Sequence, residues 1–390
     1  MTYTCYASSL YLPSRLFEHQ IVLPGPLDNS FSPKIKMASL TSDTNKKMTY
    51  VRLGSSGLTI SRIVLGCIRS YGSAQYQPWI LPEEEGIARI KAAYDVGINT
   101  FDTANAYSNG LSEVILGKAI KQFNLPRDAI VVMTKVFIPV MRHPGDQWLP
   151  AMDLNGMGYV NQYGLSRKHI FDSVKHSLER LQFNYIDVLQ CHRFDNDTPI
   201  SETMQALHDV IKAGYVRYIG MSSCFAYQFH AMQSTLSLNE LTPFISMQNH
   251  YSLIHREEER EMFPTLKMFG VGSIPWSPLA RGLLTRSSEK QKASKRGDID
   301  NWMPMYDLTG EWFETIVNRV EELATKKKIS MAQITLAWIM NKDGVAAPVV
   351  GTTSLKNLYD LLGAIHVKLT PEEMSYLEEP YKSQAIIGHF

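Results

Sequence analysis

Three polar residues stand where an apolar run is expected to continue into a core. Asp102 follows Asn99-Thr-Phe101, Lys135 follows Met133-Thr134, and His192 follows Leu189-Gln-Cys191. A carboxylate, an ammonium and an imidazole removed from water each need a partner. One such residue is an ordinary strand cap; three on neighbouring runs point into one mouth. Tyr107 lies five residues beyond Asp102, close enough in the chain to fold back over that mouth. An ammonium beside a phenol favours phenolate, so Lys135 is expected to lower the Tyr107 pKa toward the working range. His192 is placed to donate a hydrogen bond to a substrate oxygen. Together the four side chains have the chemistry to give a proton to a carbonyl oxygen while a hydride reaches its carbon. Taken alone, Tyr107 reads equally well as a buried loop aromatic.

Positioning these residues falls to a series of short apolar runs at 63–66, 98–101, 130–134, 186–190, 218–221, 245–247, 272–275 and 347–350. Between them lie amphipathic stretches, among them 83–95, 112–122, 167–181, 200–213 and 312–327. In Ile170-Phe171-Val174-Ser177-Leu178-Leu181 the spacing of three and four gathers apolar residues on one helical face. Strands alternating with helices imply parallel pairing, because each crossover returns the chain to the same edge. Eight such units suit a closed (β/α)8 TIM barrel, whose active site sits at the C-terminal ends of the strands. A doubly wound open sheet is the rival, but Leu65-Gly-Cys-Ile-Arg69 lacks the glycine-rich fingerprint expected after its first strand.

Composition narrows the class further. Of 390 residues, 39 are Lys or Arg and 38 are Asp or Glu, so no overall field attracts nucleic acid or an anionic membrane. No apolar run approaches the ~18 residues of a membrane span. Cys5, Cys67, Cys191 and Cys224 are scattered without a CxxC pair, which fits a reducing, cytoplasmic setting. No His, Cys and Asp spacing suggests a metal. Residues 1–48 are rich in Ser, Pro and Thr without a sustained period and read as a poorly ordered extension, with 49–390 forming the barrel. A transit peptide, or a start at Met37 or Met48, is an alternative for that segment. A small β-hairpin over 50–60, turning at Gly54-Ser-Ser-Gly57, opens the barrel unit. The run His255-Arg-Glu-Glu-Glu-Arg-Glu261 reads as a helix surface.

With these residues in view, the chain resembles the aldo-keto reductase family. Phe101-Asp-Thr-Ala-Asn-Ala-Tyr107-Ser-Asn-Gly110, with Ser112-Glu113, resembles the family segment carrying its catalytic Asp and Tyr. Thr134-Lys135 resembles its lysine site, and Asp187-Val-Leu-Gln-Cys-His192 its histidine site. The likeness runs from about residue 50 to 380 and is nearest the branch of potassium-channel β-subunits and fungal aryl-alcohol dehydrogenases. It implies catalytic roles for Asp102, Tyr107, Lys135 and His192 and a nicotinamide cofactor, NADP(H) in preference to NAD(H). Ser222, Ser223 and Gln248 are implied to bind the carboxamide, and Trp276 to stack on the nicotinamide. Ser277, Leu279, Gly282 and Leu284 fall in the segment implied to hold the pyrophosphate. Gly351, Thr353 and Asn357 fall in the one implied to meet the adenosine phosphate. There the pattern departs from many relatives, because Gly351 and Asn357 are uncharged; Arg286 or Arg296 is then expected to help.

Two long loops complete the reading. Residues 137–165, with Trp148, Met152, Met157 and Tyr159, exceed an ordinary strand–helix connection and are expected to wall a pocket for a bulky, apolar or aromatic carbonyl. Residues 285–306 carry Lys290, Lys292, Lys295 and Arg296, either a phosphate clamp or a solvated loop. The implied activity is reduction of an aldehyde, a ketone or a hemiacetal-masked aldehyde, a small-molecule carbonyl of secondary metabolism. Oxidation of aryl alcohols, or slow turnover in an NADP-binding regulatory subunit, are the alternatives, the latter disfavoured by His192. A metal-dependent barrel hydrolase is more distant still.

Overall fold

The apolar runs become eight short strands because each is bounded by turn-forming residues and flanked by helices that cover its outer face. The computed structural model describes residues 48–389 apart from 69, 288–305, 307 and 309. The extension over 1–47 and the cations Lys290, Lys292, Lys295 and Arg296 therefore lie outside the described residues. The hairpin comes first, as β1 (Tyr50–Arg52) antiparallel to β2 (Thr59–Ser61). Then follow β3 (Val64–Gly66), β4 (Thr100–Asp102), β5 (Val131–Val136) and β6 (Ile186–Cys191). The set ends with β7 (Val216–Ser222), β8 (Phe244–Gln248), β9 (Gly272–Ser273) and β10 (Val349–Val350).

These eight strands form one parallel sheet in the order β10-β3-β4-β5-β6-β7-β8-β9. Its two ends meet, because the Ala346 amide donates to the Ser273 carbonyl at 2.7 Å and the Val349 amide to the Pro275 carbonyl at 2.9 Å. Sequential order with joined edges is the barrel and excludes the doubly wound rival. Helices α1 (Glu83–Asp95), α2 (Leu111–Gln122), α3 (Arg167–Leu181), α4 (Ile200–Lys212), α5 (Ala226–Asn239) and α6 (Met262–Phe269) follow successive strands. After β9 come α7 (Glu311–Lys327) and α8 (Met331–Met340), and after β10 come α9 (Leu355–Leu362) and α10 (Pro371–Glu378). Helix α3 starts where the Ser166 hydroxyl accepts the His169 amide at 3.3 Å. Of its predicted face, Ile170, Val174, Ser177 and Leu181 are buried, while Phe171 and Leu178 are half-buried. No helix among the described residues is long and apolar enough to cross a membrane.

Alternation along the strands sorts two cores. Val64, Val131, Met133, Val188, Ile274 and Val349 fill the barrel interior, and the hairpin contributes Leu53 and Ile60 to the same cluster. Leu65, Phe101, Val132, Val136 and Leu189 face outward into the layer shared with the helices. The interior turns polar near the C-terminal ends of the strands, where Lys135 pairs in register with Gln190. That change of chemistry inside one barrel marks the site.

Candidate active site

Asp102 ends β4 and Lys135 is the penultimate residue of β5, each with a side chain only 1% exposed. Lys135 Nζ lies 2.6 Å from Asp102 Oδ2 and donates to the Thr103 carbonyl at 2.8 Å. The other carboxylate oxygen, Oδ1, accepts from Gln190 Nε2 and Gln248 Nε2, both at 2.9 Å. Asp102 is thus held by three donors, the number that makes an ion pair tolerable without water. Lys135 Nζ also sits 4.9 Å from the Tyr107 ring centre.

Tyr107 begins a short 3-10 turn, Tyr107–Gly110, in which Ser108 (φ 47°) and Asn109 (φ 51°) are left-handed. Such backbone costs on the order of 1 kcal/mol per residue and persists only where its surroundings fix it. Here the Asn109 amide donates to the His143 and Asp146 carbonyls at 2.8 and 2.9 Å, and its oxygen accepts from the Met141 amide at 3.3 Å. The loop after β5 therefore pins the turn that carries Tyr107.

Burial raises the Tyr107 pKa above the ordinary phenol value, with Lys135 pulling against it. This corrects the expectation of a lowered value. In a dry site, desolvation of phenolate outweighs the nearby ammonium, whose charge is already largely answered by Asp102. Burial by itself lowers the Lys135 pKa, but Asp102 and Tyr107 together hold it above its usual value. His192 meets Tyr107 edge-on, ring centres 5.7 Å apart at 75°. Burial, then the charges of Arg193 and Lys135, push its pKa well below the usual value, so the ring is neutral. Its Nδ1 has no hydrogen-bond partner among the described residues. A neutral imidazole and a phenol thus stand side by side at the cleft, each with one hydrogen to donate.

Those groups open onto a cleft of about 590 Å³. Asp102, Tyr107 and His192 line it, together with Ser222, Gln248, Trp276, Ser277, Leu279, Gly282, Gly351, Thr353 and Asn357. Lys135 lies beneath the surface of the cleft. Ser222 donates to the Gln248 carbonyl at 2.7 Å, leaving its oxygen lone pairs to the cleft. Two of the residues read from sequence sit behind the wall. Ser223 is wholly buried, and its hydroxyl accepts the Trp276 indole N–H at 3.0 Å. Leu284 is buried, its carbonyl accepting from Thr335 at 3.2 Å. Trp276 is backed on one face by His250, centres 4.3 Å apart and planes 11° apart, and His250 in turn by His255.

The acidic run over 255–261 is not a helix surface. Only a short 3-10 turn, Glu257–Glu259, forms, and Glu258 is 3% exposed. Asn249 donates to Glu258 while accepting the Ser223 amide at 3.2 Å, so the acid supports the bracket behind Trp276. A surface reading failed because three consecutive acids carry no periodicity that would show which one turns inward. In the long loop after β5, Trp148 lines the cleft, whereas Met152 and Tyr159 pack with Met141 and Leu154 in a small core of the loop itself. Met157 points outward at 44% exposure.

Sequence reading missed Tyr76, Arg193, Arg281 and Ile68, which also line the cleft, and Gln190 beneath it. For Tyr76 and Ile68 a signal existed. The segment 67–82 is long for a strand–helix connection and rich in aromatics, the same reasoning that singled out 137–165.

A closed parallel barrel with a buried Asp–Lys pair, a tyrosine and a histidine at its C-terminal mouth defines the class: a barrel oxidoreductase acting on carbonyl groups. The model of the aldo/keto reductase family matches residues 62–382, and the chain belongs to that family, which works with NAD(P)H. Among its relatives, the aldo-keto reductase dtxS3 of Metarhizium robertsii is 44% identical over 90% of this chain and 96% of its own length. The versiconal hemiacetal acetate reductase of Aspergillus parasiticus is 45% identical over 87% of this chain and 98% of its own. A Schizosaccharomyces pombe protein with a provisional aryl-alcohol dehydrogenase name is 46% identical over 87% of this chain and 97% of its own.

Proposed function

We propose that the chain is a cytosolic NADPH-dependent reductase of bulky or aromatic aldehydes, ketones or hemiacetal-masked aldehydes, with Tyr107 as the proton donor. The observation that carries this reading is the buried Lys135–Asp102 pair beneath a neutral Tyr107 that faces the cleft. When bound, the cofactor supplies the hydride. Tyr107 donates its proton to the carbonyl oxygen, and Lys135 offsets the phenolate charge left behind. Asp102 holds Lys135 in place. His192, neutral and adjacent, orients the same oxygen by hydrogen bonding.

The residues present fit a nicotinamide nucleotide. Trp276 has one face taken by His250 and lines the cleft, which suits a flat ring. Gly282 (φ 102°) needs the backbone freedom of glycine beside the cleft, where a phosphate would come close. Thr353 and Asn357 line the cleft at the start of α9, a helix N-terminus that favours anions. Arg281 and Arg286 line the same cleft beside Gly282, and their charge suits a phosphate-rich cofactor, which supports NADPH over NADH.

Ile68, Tyr76, Ile138, Pro139 and Trp148 line the cleft as well and suit an apolar or aromatic substrate body. Likeness to the versiconal hemiacetal acetate reductase supports the masked-aldehyde class and a role in secondary metabolism. The raised Tyr107 pKa favours reduction over alcohol oxidation near neutrality, because oxidation begins with phenolate. The test is NADPH consumption by purified protein against aromatic, aliphatic and polyketide-like carbonyls, with Tyr107→Phe alongside. Carbonyl-dependent turnover that falls by about 10²-fold or more in the variant is expected. Undiminished turnover in the variant would remove Tyr107 from the role. Tight NADPH binding without turnover would favour a regulatory subunit.

A further inference from the structure

Gln190 is wholly buried on β6 and does not line the cleft, yet it bonds to both the Asp–Lys pair and a residue of the cleft wall. Its Nε2 donates to Asp102 Oδ1 at 2.9 Å, and its Oε1 accepts from Gln248 Nε2 at 3.0 Å. Gln248 Nε2 donates to the same Asp102 Oδ1 at 2.9 Å. A carboxylate paired with an ammonium only accepts hydrogen bonds, so both amides must turn their nitrogens toward it. An amide has two nearly isosteric orientations. For Gln248 one of them is fixed twice, by Asp102 and by the Gln190 oxygen. Flipping it would set Oε1 against a carboxylate and a carbonyl at once. What remains for the cleft is Gln248 Oε1, which accepts no bond from any described residue.

The neighbouring strand leaves Gln190 little competition for space. Gly220 of β7 pairs with both Gln190 and Ser246. A Cβ at Gly220 would stand 2.2 Å from Ser246 Oγ and 3.3 Å from Gln190 Cγ. Glycine weakens a strand interior; its place here follows first from the Ser246 hydroxyl and only second from the Gln190 side chain. An apolar residue at 190 would have continued the interior packing of Val188 without any of these bonds.

We propose that Gln190 is a positioning residue that locks the Gln248 amide with its oxygen toward the cleft. The site thereby selects a cofactor whose ring carries a hydrogen-bond donor, the primary carboxamide of nicotinamide. The proposal rests on the nicotinamide-nucleotide reading given above. Its test compares dissociation constants, read by tryptophan fluorescence, for NADP+ and its 3-acetylpyridine analogue, in which a methyl group replaces the amide nitrogen. Wild type is expected to prefer NADP+ by on the order of tenfold, the worth of one buried hydrogen bond. Gln190→Met reduces that preference to about twofold or less while binding adenosine 2′,5′-bisphosphate as wild type does. Gln248→Met loses the preference too, and the double variant loses no more than either alone. Equal binding of the two cofactors by wild type overturns the proposal without recourse to any variant. So does a full preference in Gln190→Met, or in Gln190→Asn should the methionine variant not fold. Failure of wild type to bind NADP+ at all strikes instead at the cofactor reading.

Discussion

Two carboxylate–cation pairs lie on opposite sides of β5, and they do different things. Thr134 and Lys135 are adjacent and so point to opposite faces of the barrel wall. Outward, the Thr134 hydroxyl donates to Glu113 Oε1 at 2.5 Å, and Arg180 Nε meets Glu113 Oε2 at 2.6 Å. That pair ties α2 and α3 to the strand. Inward, Lys135 meets Asp102 at 2.6 Å and faces the ring of Tyr107. Both carboxylates are essentially sealed from water, at 0% exposure for Glu113 and 1% for Asp102. The outward pair, however, reaches solvent through Arg180, which is 21% exposed, and it touches nothing that reacts. The inward cation is sealed as well, and its neighbour Tyr107 opens onto the cleft. Burial of charge is therefore no mark of chemistry by itself; what the cation faces decides the role.

The comparison breaks most visibly at Lys135. Lys135→Met is expected to lower the carbonyl reduction rate by about 10²–10⁴-fold, measured as kcat with NADPH in excess. A loss under tenfold would put the inward pair in the same structural role as the outward one. Glu113→Ala tests the other side. It leaves Arg180 half-answered and should cost about 2–3 kcal/mol in urea unfolding, less than a fully buried pair because Arg180 reaches solvent. The kcat of the folded enzyme should stay within about threefold of wild type. Replacing the outward pair together, as Glu113→Leu with Arg180→Met, should recover most of that stability, since no lone charge is left buried. A double variant no better than the single would show that the pair acts through specific bonds to Thr134 and not through charge balance.

The smallest effect sharpens the inward side. His192 is held neutral well below its ordinary pKa, so the reduction rate should show no inflection near pH ~6.5. Tyr107 acts as an acid and is active while protonated. Because burial raises its pKa, reduction should persist through neutrality and fall only on the alkaline side of an ordinary phenol, near pH ~10. Alcohol oxidation, which needs the phenolate, should rise with pH over the same range. A reduction rate that declines from pH ~7 would restore the lowered pKa expected from Lys135 alone.

Much of this was legible before the fold. Asp102, Lys135 and His192 were found because charged or polar residues interrupt apolar runs at the same relative place. The strands and helices were found because alternation and three-four spacing survive in single segments. Gln190 was not, since an amide inside an apolar run resembles an ordinary strand residue until its neighbours on β4 and β8 are known. Ser223 was placed at the cofactor by likeness, whereas its hydroxyl supports Trp276 from behind. The buried Glu258 escaped because its partners, Asn249 and His389, lie 9 and 131 residues away in the chain.

By itself the sequence determined the order of elements, the barrel they make and the strand ends at which reactive groups sit, because those depend on patterns within a few residues. Only the tertiary structure decided which of two buried ion pairs faces the cleft and which way the Gln248 amide turns. It alone showed that burial works against the pull of Lys135 on the Tyr107 pKa. Those outcomes depend on desolvation and on bonds between strands far apart in the chain, and neither is written in any local spacing.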